Sequence, residues 1–562
     1  MHALLEIEKL SISFPQDTCS YEAVKGISFS LHKGKITALV GESGSGKSVT
    51  ALSILQLLPP HVVVSGSAIG YFGESFTSNL LKLPEHQIRH FRGKKIGMIF
   101  QEPMTSLNPL LTCGEQVAEA IILHLKENRA DAKAKTIALF ERVELPDPES
   151  VYQRYPHQLS GGQKQRVMIA MAISCRPELL IADEPTTALD VVVQKSILAL
   201  IRSIQQETGM AVLLITHDLG LVADVADDIY VMKSGELVES GLVNDVLRNP
   251  AHEYTRNLLL ARPTEASKGK PLAMVADLKI KIDQTTLSVN HDAVKSFTSQ
   301  KPILQVEALS KCYQSAGNAF GKKKPSLRAL SEVSFEVWPE ETVGLVGESG
   351  SGKSTIGKII AGLLQPDEGK ISWNREEMNS QSAEKKIRTA IVFQDPYGSL
   401  NPRMSIGAAL GEPISLKHRG IRKDEKREKT KALLWQVGLN ETAMSRYPHQ
   451  FSGGQRQRIC IARALATEPQ FLIFDESVSA LDLSIQAQIL NLINELKAQL
   501  KLTCLFISHD LPVVHFISDR IMVLQHGKII ETGTADQILH APVEKYTRTL
   551  VDAIPGRSHF LL

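Results

Sequence analysis

The chain has 562 residues, of which 43% are hydrophobic and 22% are charged, and its formal net charge is +2. Since a domain usually takes roughly 100–200 residues, this composition predicts a soluble globular protein of several domains. A charge so close to zero gives no indication of a nucleic-acid partner, and none is expected.

Cysteine spacing and the lack of long apolar runs restrict the class further. The six cysteines lie far apart and form no C-x-x-C pair, which predicts free thiols instead of disulfides or a zinc site. The opening, MHALLEIEKL, carries acidic residues and no long apolar core, so we expect no signal peptide. No apolar run in the sequence reaches the roughly 18–20 residues that span a bilayer, so any membrane role is expected to come through a partner.

The sequence contains a long internal repeat. The phrase GESGSGKS begins at Gly41 and again at Gly347, and YPHQLSGGQKQR at Tyr155 returns as YPHQFSGGQRQR at Tyr447. Four further phrases return in the same order, namely FQEPMTSLNP as FQDPYGSLNP, IADEPTTALD as IFDESVSALD, ITHDL as ISHDL and EYTRNLL as KYTRTLV. The offset falls from 306 at the glycine loops to 293 at the FQ phrases and 292 beyond them. This collinearity predicts one duplicated domain, at 1–262 and 303–562, joined by a polar linker at 263–302.

Taken in chain order, each copy has the pattern of an α/β domain. KITALVGESGSGKSVTALSILQLL predicts an apolar strand, a glycine turn and a helix, and ELLIADE and AVLLITH predict buried parallel strands. Between them, EQVAEAIILHLKENRADAKAKTIALFERV is helical by spacing and propensity, and RKDEKREKTKALLWQVGL takes its place in the second copy. Each copy is therefore predicted to be an α/β core with a helical insert.

The glycine loops match G-x-x-x-x-G-K-[ST] between a strand and a helix, which is the context of a phosphate-binding P-loop. Glycines let the backbone N–H groups wrap phosphates, and the helix adds its positive end. Lys47 is expected to reach the β- and γ-phosphates and Ser48 to bind Mg²⁺; a flexible glycine turn is the alternative. The predicted nucleotide-binding residues are Gly41, Glu42, Ser43, Gly44, Ser45, Gly46, Lys47 and Ser48, with Gly347, Glu348, Ser349, Gly350, Ser351, Gly352, Lys353 and Ser354 in the second copy.

Gln101 and Gln394 lie between the predicted strands and the helical insert of their copies. A glutamine in that place can touch Mg²⁺ or the attacking water and so sense the γ-phosphate. A plain polar loop residue is the alternative.

The SGGQ segments stand before apolar helices. Ser-x-x-Gln is a capping-box pattern, which is the structural interpretation. Two glycines also leave a helix N-terminus open to an anion, which is the functional one. The candidate phosphate-binding residues are Ser160, Gly161, Gly162 and Gln163, with Ser452, Gly453, Gly454 and Gln455 in the second copy.

Acidic pairs and histidines end the later strands. Asp183 and Glu184 follow one apolar strand, and Asp475 and Glu476 return in the second copy. The aspartates are placed to hold Mg²⁺ and the glutamates to polarise the attacking water; solvated loop acids are the alternative. A histidine ends the next strand and could bond the γ-phosphate, although a lone histidine is more often a satisfied core residue. The two histidines are His217 and His509.

These motifs in this order resemble the nucleotide-binding domains of ABC ATPases, with Walker A, Q-loop, LSGGQ signature, Walker B and H-loop present twice. The resemblance implies two tandem P-loop NTPase (RecA-like) ABC domains, each with a β subdomain and a helical insert, that hydrolyse ATP with Mg²⁺. It also implies a head-to-tail arrangement in which each ATP lies between one domain's Walker A and the other's signature. An aromatic residue is expected to stack on adenine, and Phe14 and Tyr313 fit best by distance from the P-loops, with Tyr21 as an alternative. A core or edge-strand aromatic without a binding role is the structural alternative.

Finer features are similar to the ATPases of the oligopeptide, dipeptide and nickel import group, and the fusion resembles the tandem ATPases of microcin C-type peptide and glutathione importers. This implies two integral membrane permeases as partners, an extracytoplasmic solute-binding protein, and a peripheral location on the cytoplasmic face of the inner membrane. Docking to permeases is predicted around Met104–Pro109 and Tyr397–Pro402, where an Asn-Pro turn is the alternative. Phe451 and Ser477 depart from the usual Leu and Pro, and no cysteine cluster follows either core, so no iron–sulfur cluster is expected.

A soluble tandem ATPase acting in translation or DNA repair is the competing class. The translation type usually carries a long charged helical hairpin between its domains, whereas this linker shows little helical periodicity. The repair type carries zinc-binding cysteines, which the sequence lacks.

Overall fold

The computed structural model describes residues 3–15, 20–73, 76–101, 106–187, 189–273, 301–313, 327–374, 376–377, 389–479 and 481–560. The chain divides into two compact units, Met1–Leu259 with Pro555–Leu562, and Leu260–Ile554. Within the described ranges, no helix combines the length and the apolar character needed to cross a membrane.

The first unit contains two β-sheets. Its strands are β1 (Ala3–Pro15), β2 (Ser20–His32), β3 (Ile36–Val40), β4 (Val63–Ser65), β5 (Ala68–Gly73), β6 (Phe76–Asn79), β7 (Ile96–Ile99), β8 (Leu179–Asp183), β9 (Ala211–Thr216), β10 (Asp228–Lys233) and β11 (Glu236–Leu242). One sheet is antiparallel, with the order β2-β1-β5-β6 and with β4 also pairing with β1. The other has the order β11-β10-β3-β9-β8-β7, in which only the pairing of β10 with β11 is antiparallel.

The parallel strands are buried on both faces, which explains their unbroken apolar sequences. In β8, Leu179 and Ile181 pack into the core between the parallel and the antiparallel sheet. Leu180 and Ala182 pack into the core between the other face of the parallel sheet and the helices. Alternate side chains thus fill two cores on opposite faces of one sheet. The parallel sheet is therefore the middle of three layers.

The helices of the first unit include those that begin at the P-loop and at the SGGQ segment. They are Lys47–Ile54, Glu85–Ile88, Cys113–Leu125, Arg129–Arg142, Pro148–Gln153, Gly161–Ile173, Val191–Thr208, Leu219–Val225, Val243–Arg248 and Glu253–Leu260. The predicted helical insert is two helices, because Lys126 adopts a left-handed conformation with φ 57° and Asn128 caps a new helix by accepting a hydrogen bond from the Asp131 N–H.

The second unit repeats this arrangement. Its strands are β12 (Leu304–Tyr313), β13 (Leu327–Val337), β14 (Thr342–Val346), β15 (Glu368–Trp373), β16 (Glu376–Glu377), β17 (Thr389–Val392), β18 (Phe471–Asp475), β19 (Thr503–Ile507), β20 (Arg520–Gln525) and β21 (Lys528–Thr534). The sheet orders are β13-β12-β15-β16 and β17-β18-β19-β14-β20-β21. Its helices are Lys353–Ile360, Pro396–Ser399, Ile406–Lys417, Lys423–Gln436, Gly453–Leu465, Leu483–Leu500, Leu511–Ile517, Ala535–His540 and Lys545–Asp552, and the helix Arg557–Phe560 belongs to the first unit.

The described part of the predicted linker, 263–273, lies in the second unit. Leu272 is buried, its N–H donates to the Asn491 side chain at 3.0 Å, and its carbonyl accepts from the same amide at 3.0 Å. The Lys268 ammonium pairs with Asp536 at 3.1 Å. The start of this stretch is therefore packed structure, which its polar composition did not indicate.

Candidate functional site

The predicted motifs meet at one edge of each parallel sheet. The P-loop follows β3, Gln101 comes shortly after β7, Asp183 ends β8 and His217 follows β9. Since these strands are neighbours and parallel, their carboxyl ends lie at the same edge. The second unit places its motifs in the same way on β14, β17, β18 and β19.

The glycine loops require glycine for steric reasons. A Cβ on Gly41 would lie 2.2 Å from the Met232 carbonyl oxygen, and one on Gly46 would lie 2.6 Å from that of Ala23. Gly46 also has φ 102°, a conformation that other residues rarely adopt. The loop backbone is thus packed tightly against the backbone at Met232 and Ala23.

Each P-loop lysine is buried, and its ammonium group bonds to the backbone of its own loop. Lys47 Nζ donates to the carbonyl oxygens of Gly41 and Glu42 at 2.7 and 2.8 Å. Lys353 makes the equivalent contacts at 2.8 Å each. The ammonium groups are therefore held at the loops where phosphates are predicted to bind.

The predicted magnesium ligands lie side by side. Ser48 Oγ donates to Asp183 Oδ1 at 3.0 Å, and Ser354 to Asp475 at 2.8 Å. Burial raises the pKa of Asp183 to about 6, and it raises the pKa of Asp475 as well. A hydroxyl beside a buried carboxylate is a hard oxygen donor set that fits Mg²⁺, which would favour the charged form of the acid.

Three side chains surround the Glu184 carboxylate. Gln101 Nε2 donates to it at 2.9 Å, Thr187 Oγ1 donates at 2.9 Å, and His217 Nδ1 lies 3.3 Å away. Burial acts to raise the pKa of Glu184, but hydrogen bonds from His217 and Thr187 and nearby positive charge outweigh it and hold the pKa at about 2. The carboxylate is thus ionised at neutral pH and able to polarise a water.

The second copy repeats the glutamine and histidine contacts around its own glutamate, Glu476. Gln394 donates to Glu476 at 2.9 Å, and His509 Nδ1 lies 3.6 Å from the same carboxylate. Burial opposes ionisation, but hydrogen bonding and charge from His509 and the charge of Lys353 lower the pKa of Glu476. Thr187 was not predicted from the sequence, and its place three residues after Glu184 was the available signal.

The signature segments form capping boxes. The Gln163 N–H donates to Ser160 Oγ at 3.3 Å, and the Ser160 N–H donates to the Gln163 side chain at 3.1 Å. Ser452 and Gln455 make the same pair. The capping interpretation is therefore correct as far as local structure goes, and it leaves open what the helix ends face.

The second glycine of each signature is needed for packing. A Cβ on Gly162 would lie 2.9 Å from Val193, and one on Gly454 would lie 2.4 Å from Ile485. The helix Gly161–Ile173 can therefore approach the helix Val191–Thr208 closely only with glycine at this position.

The candidate adenine-stacking residues have different surroundings. Phe14 is half-buried, packs against the core of the first unit and pairs across strands with Tyr21, which is exposed. Tyr313 is exposed, and its hydroxyl lies 3.3 Å from Thr355 in the P-loop helix. Adenine stacking by these residues stays a prediction.

Comparison with known proteins places this duplicated site in a family. The ABC transporter pattern matches residues 24–187 and 330–479, and that of the oligopeptide/dipeptide transporter C-terminal region matches 238–284 and 530–558. The chain is 44% identical to the glutathione import ATP-binding proteins of Pectobacterium atrosepticum and Escherichia coli, over 98% of this chain and 89% of each relative. A Salmonella typhimurium protein of the same name is also 44% identical over the same shares. Because both cassettes match and the relatives are 44% identical over nearly the whole chain, this chain belongs to the ABC transporter family as a tandem ATP-binding and ATP-hydrolysing subunit.

Proposed function

We propose that this chain powers the import of peptides or peptide-like solutes through two integral membrane permease subunits, supplied by an extracytoplasmic solute-binding protein. The relatives named as glutathione import ATP-binding proteins support this substrate class, because glutathione is a small peptide. The match to the oligopeptide/dipeptide transporter region in both copies supports it independently. In this proposal the chain works at the cytoplasmic face of the inner membrane, held there by the permeases.

The observation that carries the ATP-hydrolysing part of the proposal is the glutamine, glutamate and histidine group that recurs in both copies. An ionised glutamate accepts from a glutamine at 2.9 Å in each, and a histidine lies beside it. We infer that Glu184 and Glu476 polarise the attacking water while the P-loop lysines bind the phosphates. Since neither copy lacks a group, both sites hydrolyse ATP.

Mg²⁺ completes each site in this proposal. Ser48 and Asp183 would hold it in the first copy, and Ser354 and Asp475 in the second, with Gln101 or Gln394 within reach. When bound, the ion supplies positive charge that stabilises the charge developing on the phosphates. The residues around it orient the nucleotide and its attacking water.

We infer that the two sites are composite. The P-loop and its set Lys47, Ser48, Gln101, Asp183, Glu184 and His217 would share one nucleotide with Ser452, Gly453 and Gln455. Lys353 and its partners would share the other with Ser160, Gly161 and Gln163. Two helix N-termini would then face one triphosphate, so ATP favours closure and hydrolysis weakens it.

Permease docking is proposed at the surface after the Q-loops. Leu123 and Leu416 occupy equivalent positions in the two helical inserts and are 69% and 67% exposed, which is unusual for leucine. In the predicted docking segment of the second copy Tyr397 is exposed, whereas Met104 of the first copy lies outside the described residues. Apolar side chains at both inserts suit one permease helix each.

Reconstitution tests the import function. The full chain is purified with its membrane subunits, placed in proteoliposomes and supplied with glutathione or a dipeptide, and solute uptake is measured with and without ATP. We expect ATP-dependent uptake that the Glu184→Gln, Glu476→Gln double variant lacks. Isolation of the chain from membranes without any integral subunit, or equal uptake by the inactive variant, would contradict the proposal.

A further inference from the structure

The repeated YTR segments reach the P-loops. The Glu42 N–H donates to the Tyr254 hydroxyl at 3.2 Å, and the Glu348 N–H donates to the Tyr546 hydroxyl at 2.9 Å. The tyrosines follow their P-loop partners by 212 and 198 residues. The same contact thus forms twice between segments far apart in sequence, and both tyrosines lie in the regions matched to the oligopeptide/dipeptide transporter C-terminal pattern.

The segments that carry these tyrosines are anchored in the same way in both copies. The Glu239 carboxylate accepts from the N–H groups of Ala251 and His252 at 2.7 and 3.2 Å, just before the helix Glu253–Leu260. In the second copy Glu531 accepts from two backbone N–H groups, those of Val543 and Glu544, at 2.7 and 3.0 Å. A carboxylate on the edge strand therefore fixes where each helix starts and where its tyrosine points.

The arginine of each YTR segment makes a second anchor. Arg256 donates to the Pro250 carbonyl at 3.3 Å, and Arg548 donates to that of Pro542 at 3.1 Å. These contacts lie within the segments themselves. The tyrosine hydroxyl is thus the group of the motif that extends to the nucleotide loop.

The residue that each tyrosine contacts also holds the P-loop lysine. In the first copy the Glu42 carbonyl accepts from Lys47 Nζ at 2.8 Å, while the Glu42 N–H bonds to Tyr254. In the second copy the Glu348 carbonyl accepts from Lys353 at 2.8 Å. A loop fixed at this residue has less freedom to lose when the phosphates bind, which favours affinity.

We propose that Tyr254 and Tyr546 are positioning residues of the two ATP sites, which hold the second residue of each P-loop in its phosphate-binding conformation. This inference rests on the nucleotide role proposed for the P-loops. It assigns the C-terminal region of each cassette a part in ATP binding.

The two tyrosines differ in how firmly they are held. Tyr254 is 2% exposed and Lys233 Nζ lies 5.1 Å from its ring centroid, whereas Tyr546 is half-buried. A cation over the ring restrains the phenol further. Loss of the Tyr254 hydroxyl is therefore expected to have the larger effect.

Tyrosine-to-phenylalanine variants of the full chain test this inference. We expect the double variant Tyr254→Phe, Tyr546→Phe to raise the Kd for ATP and the KM about 3- to 10-fold, because losing one hydrogen bond weakens an interaction by roughly this factor. The kcat should change less than about 2-fold. Tyr254→Phe alone should give most of the rise. Tyr230→Phe is the matched control, because its ring packs on Phe29 at 5.3 Å between centroids, and its ATP affinity should match the parent protein.

Tyr254→Leu and the two P-loop lysine variants separate the possible outcomes. Tyr254→Leu removes packing as well as the hydroxyl, so a lower Tm in that variant and an unchanged Tm in Tyr254→Phe assign the affinity change to the hydroxyl. An unchanged Kd in the double phenylalanine variant, with Lys47→Ala and Lys353→Ala still losing ATP, would overturn the inference alone. If the lysine variants also bind ATP normally, the P-loop assignment fails first and the inference falls with it.

Discussion

The side-chain amide of Gln101 donates to the Glu184 carboxylate at 2.9 Å, and Gln394 stands in the same relation to Glu476. Both glutamates adopt left-handed backbone conformations, with φ 46° and 48°. Such conformations are uncommon for non-glycine residues, and here the same one recurs at the equivalent residue of both copies. The duplicated geometry indicates that each carboxylate is oriented for the same task in both copies.

Removing only the negative charge of these two residues should separate binding from hydrolysis. We expect Glu184→Gln, Glu476→Gln to lower ATPase turnover by at least about 100-fold, because the group that polarises water is lost. ATP should still bind with near-normal affinity, since phosphate contacts are unchanged. Steady-state turnover and equilibrium ATP binding check the two parts, and retained turnover would remove these residues from catalysis.

A buried acid provides a test by pH. Burial raises the pKa of Asp183 to about 6 from its ordinary value of 3.8, so the folded state binds this proton more tightly than the unfolded state. The resulting destabilisation is absent below about pH 3.8, grows between 3.8 and 6 and is complete above 6. Asp183→Asn should therefore stabilise the metal-free protein at pH 8, by on the order of 2 kcal/mol, and stabilise it little near pH 4.

Thermal unfolding in chelator at both pH values measures this difference. Asp147→Asn serves as the control, because Asp147 is exposed and a left-handed residue, φ 51°, that asparagine tolerates. Equal stabilisation by Asp183→Asn at both pH values would show that its burial does not shift the proton equilibrium.

Serine-to-aspartate changes at the signatures should separate capping from phosphate binding. Aspartate is as good an N-cap as serine, so Ser160→Asp, Ser452→Asp should keep the Tm within a few degrees. An added carboxylate facing a phosphate would repel it, so ATPase activity should fall at least about 10-fold. Ser160→Ala, Ser452→Ala instead removes the caps and should cost about 1 kcal/mol per helix. Full activity in the aspartate variant would leave capping as the only role of these serines.

The duplicated motifs made the fold predictable. The motif residues lie at or just after strand ends or at the start of helices, and the two copies agree in order. The α/β core and the placement of Lys47 and Asp183 could therefore be predicted from the motifs and the apolar runs beside them. Fold and family are confirmed by the match of both cassettes to the ABC transporter pattern. The repeat supplied a check that a single domain does not offer.

Contacts between distant segments could not be predicted in this way. Neither the approach of Tyr254 to Glu42 nor the docking of Leu272 onto Asn491 leaves a periodic signal, because each depends on packing between elements far apart in sequence. The break in the first helical insert was missed because Lys126 is a good helix former within a long helical pattern, so its left-handed conformation leaves no signal. Asn128 is a favoured N-cap residue and was the one available signal of the new helix.

The pairing of the composite sites is the most direct test of the proposed mechanism. Within each copy the P-loop opens one helix and the signature opens another, and the insert lies between them in sequence. If ATP lies between two domains, the P-loop of one copy must approach the signature of the other. The distance from Ser45 to Ser452 should then be short in the ATP-bound state, while Ser45 and Ser160 of one copy should stay apart.

Cysteine cross-linking distinguishes these pairs. The six native cysteines are replaced first. Ser45→Cys is then combined with Ser452→Cys in one protein and with Ser160→Cys in another, both carrying Glu184→Gln and Glu476→Gln so that ATP stays bound. We expect the first pair to cross-link within one molecule, and more readily with ATP than without nucleotide, because two positive helix ends are drawn to one triphosphate. The Ser160→Cys pair controls for random collision. Cross-linking of Ser45→Cys to Ser160→Cys within one molecule instead would show that each copy closes on its own signature, and the duplicated signature would then need another explanation.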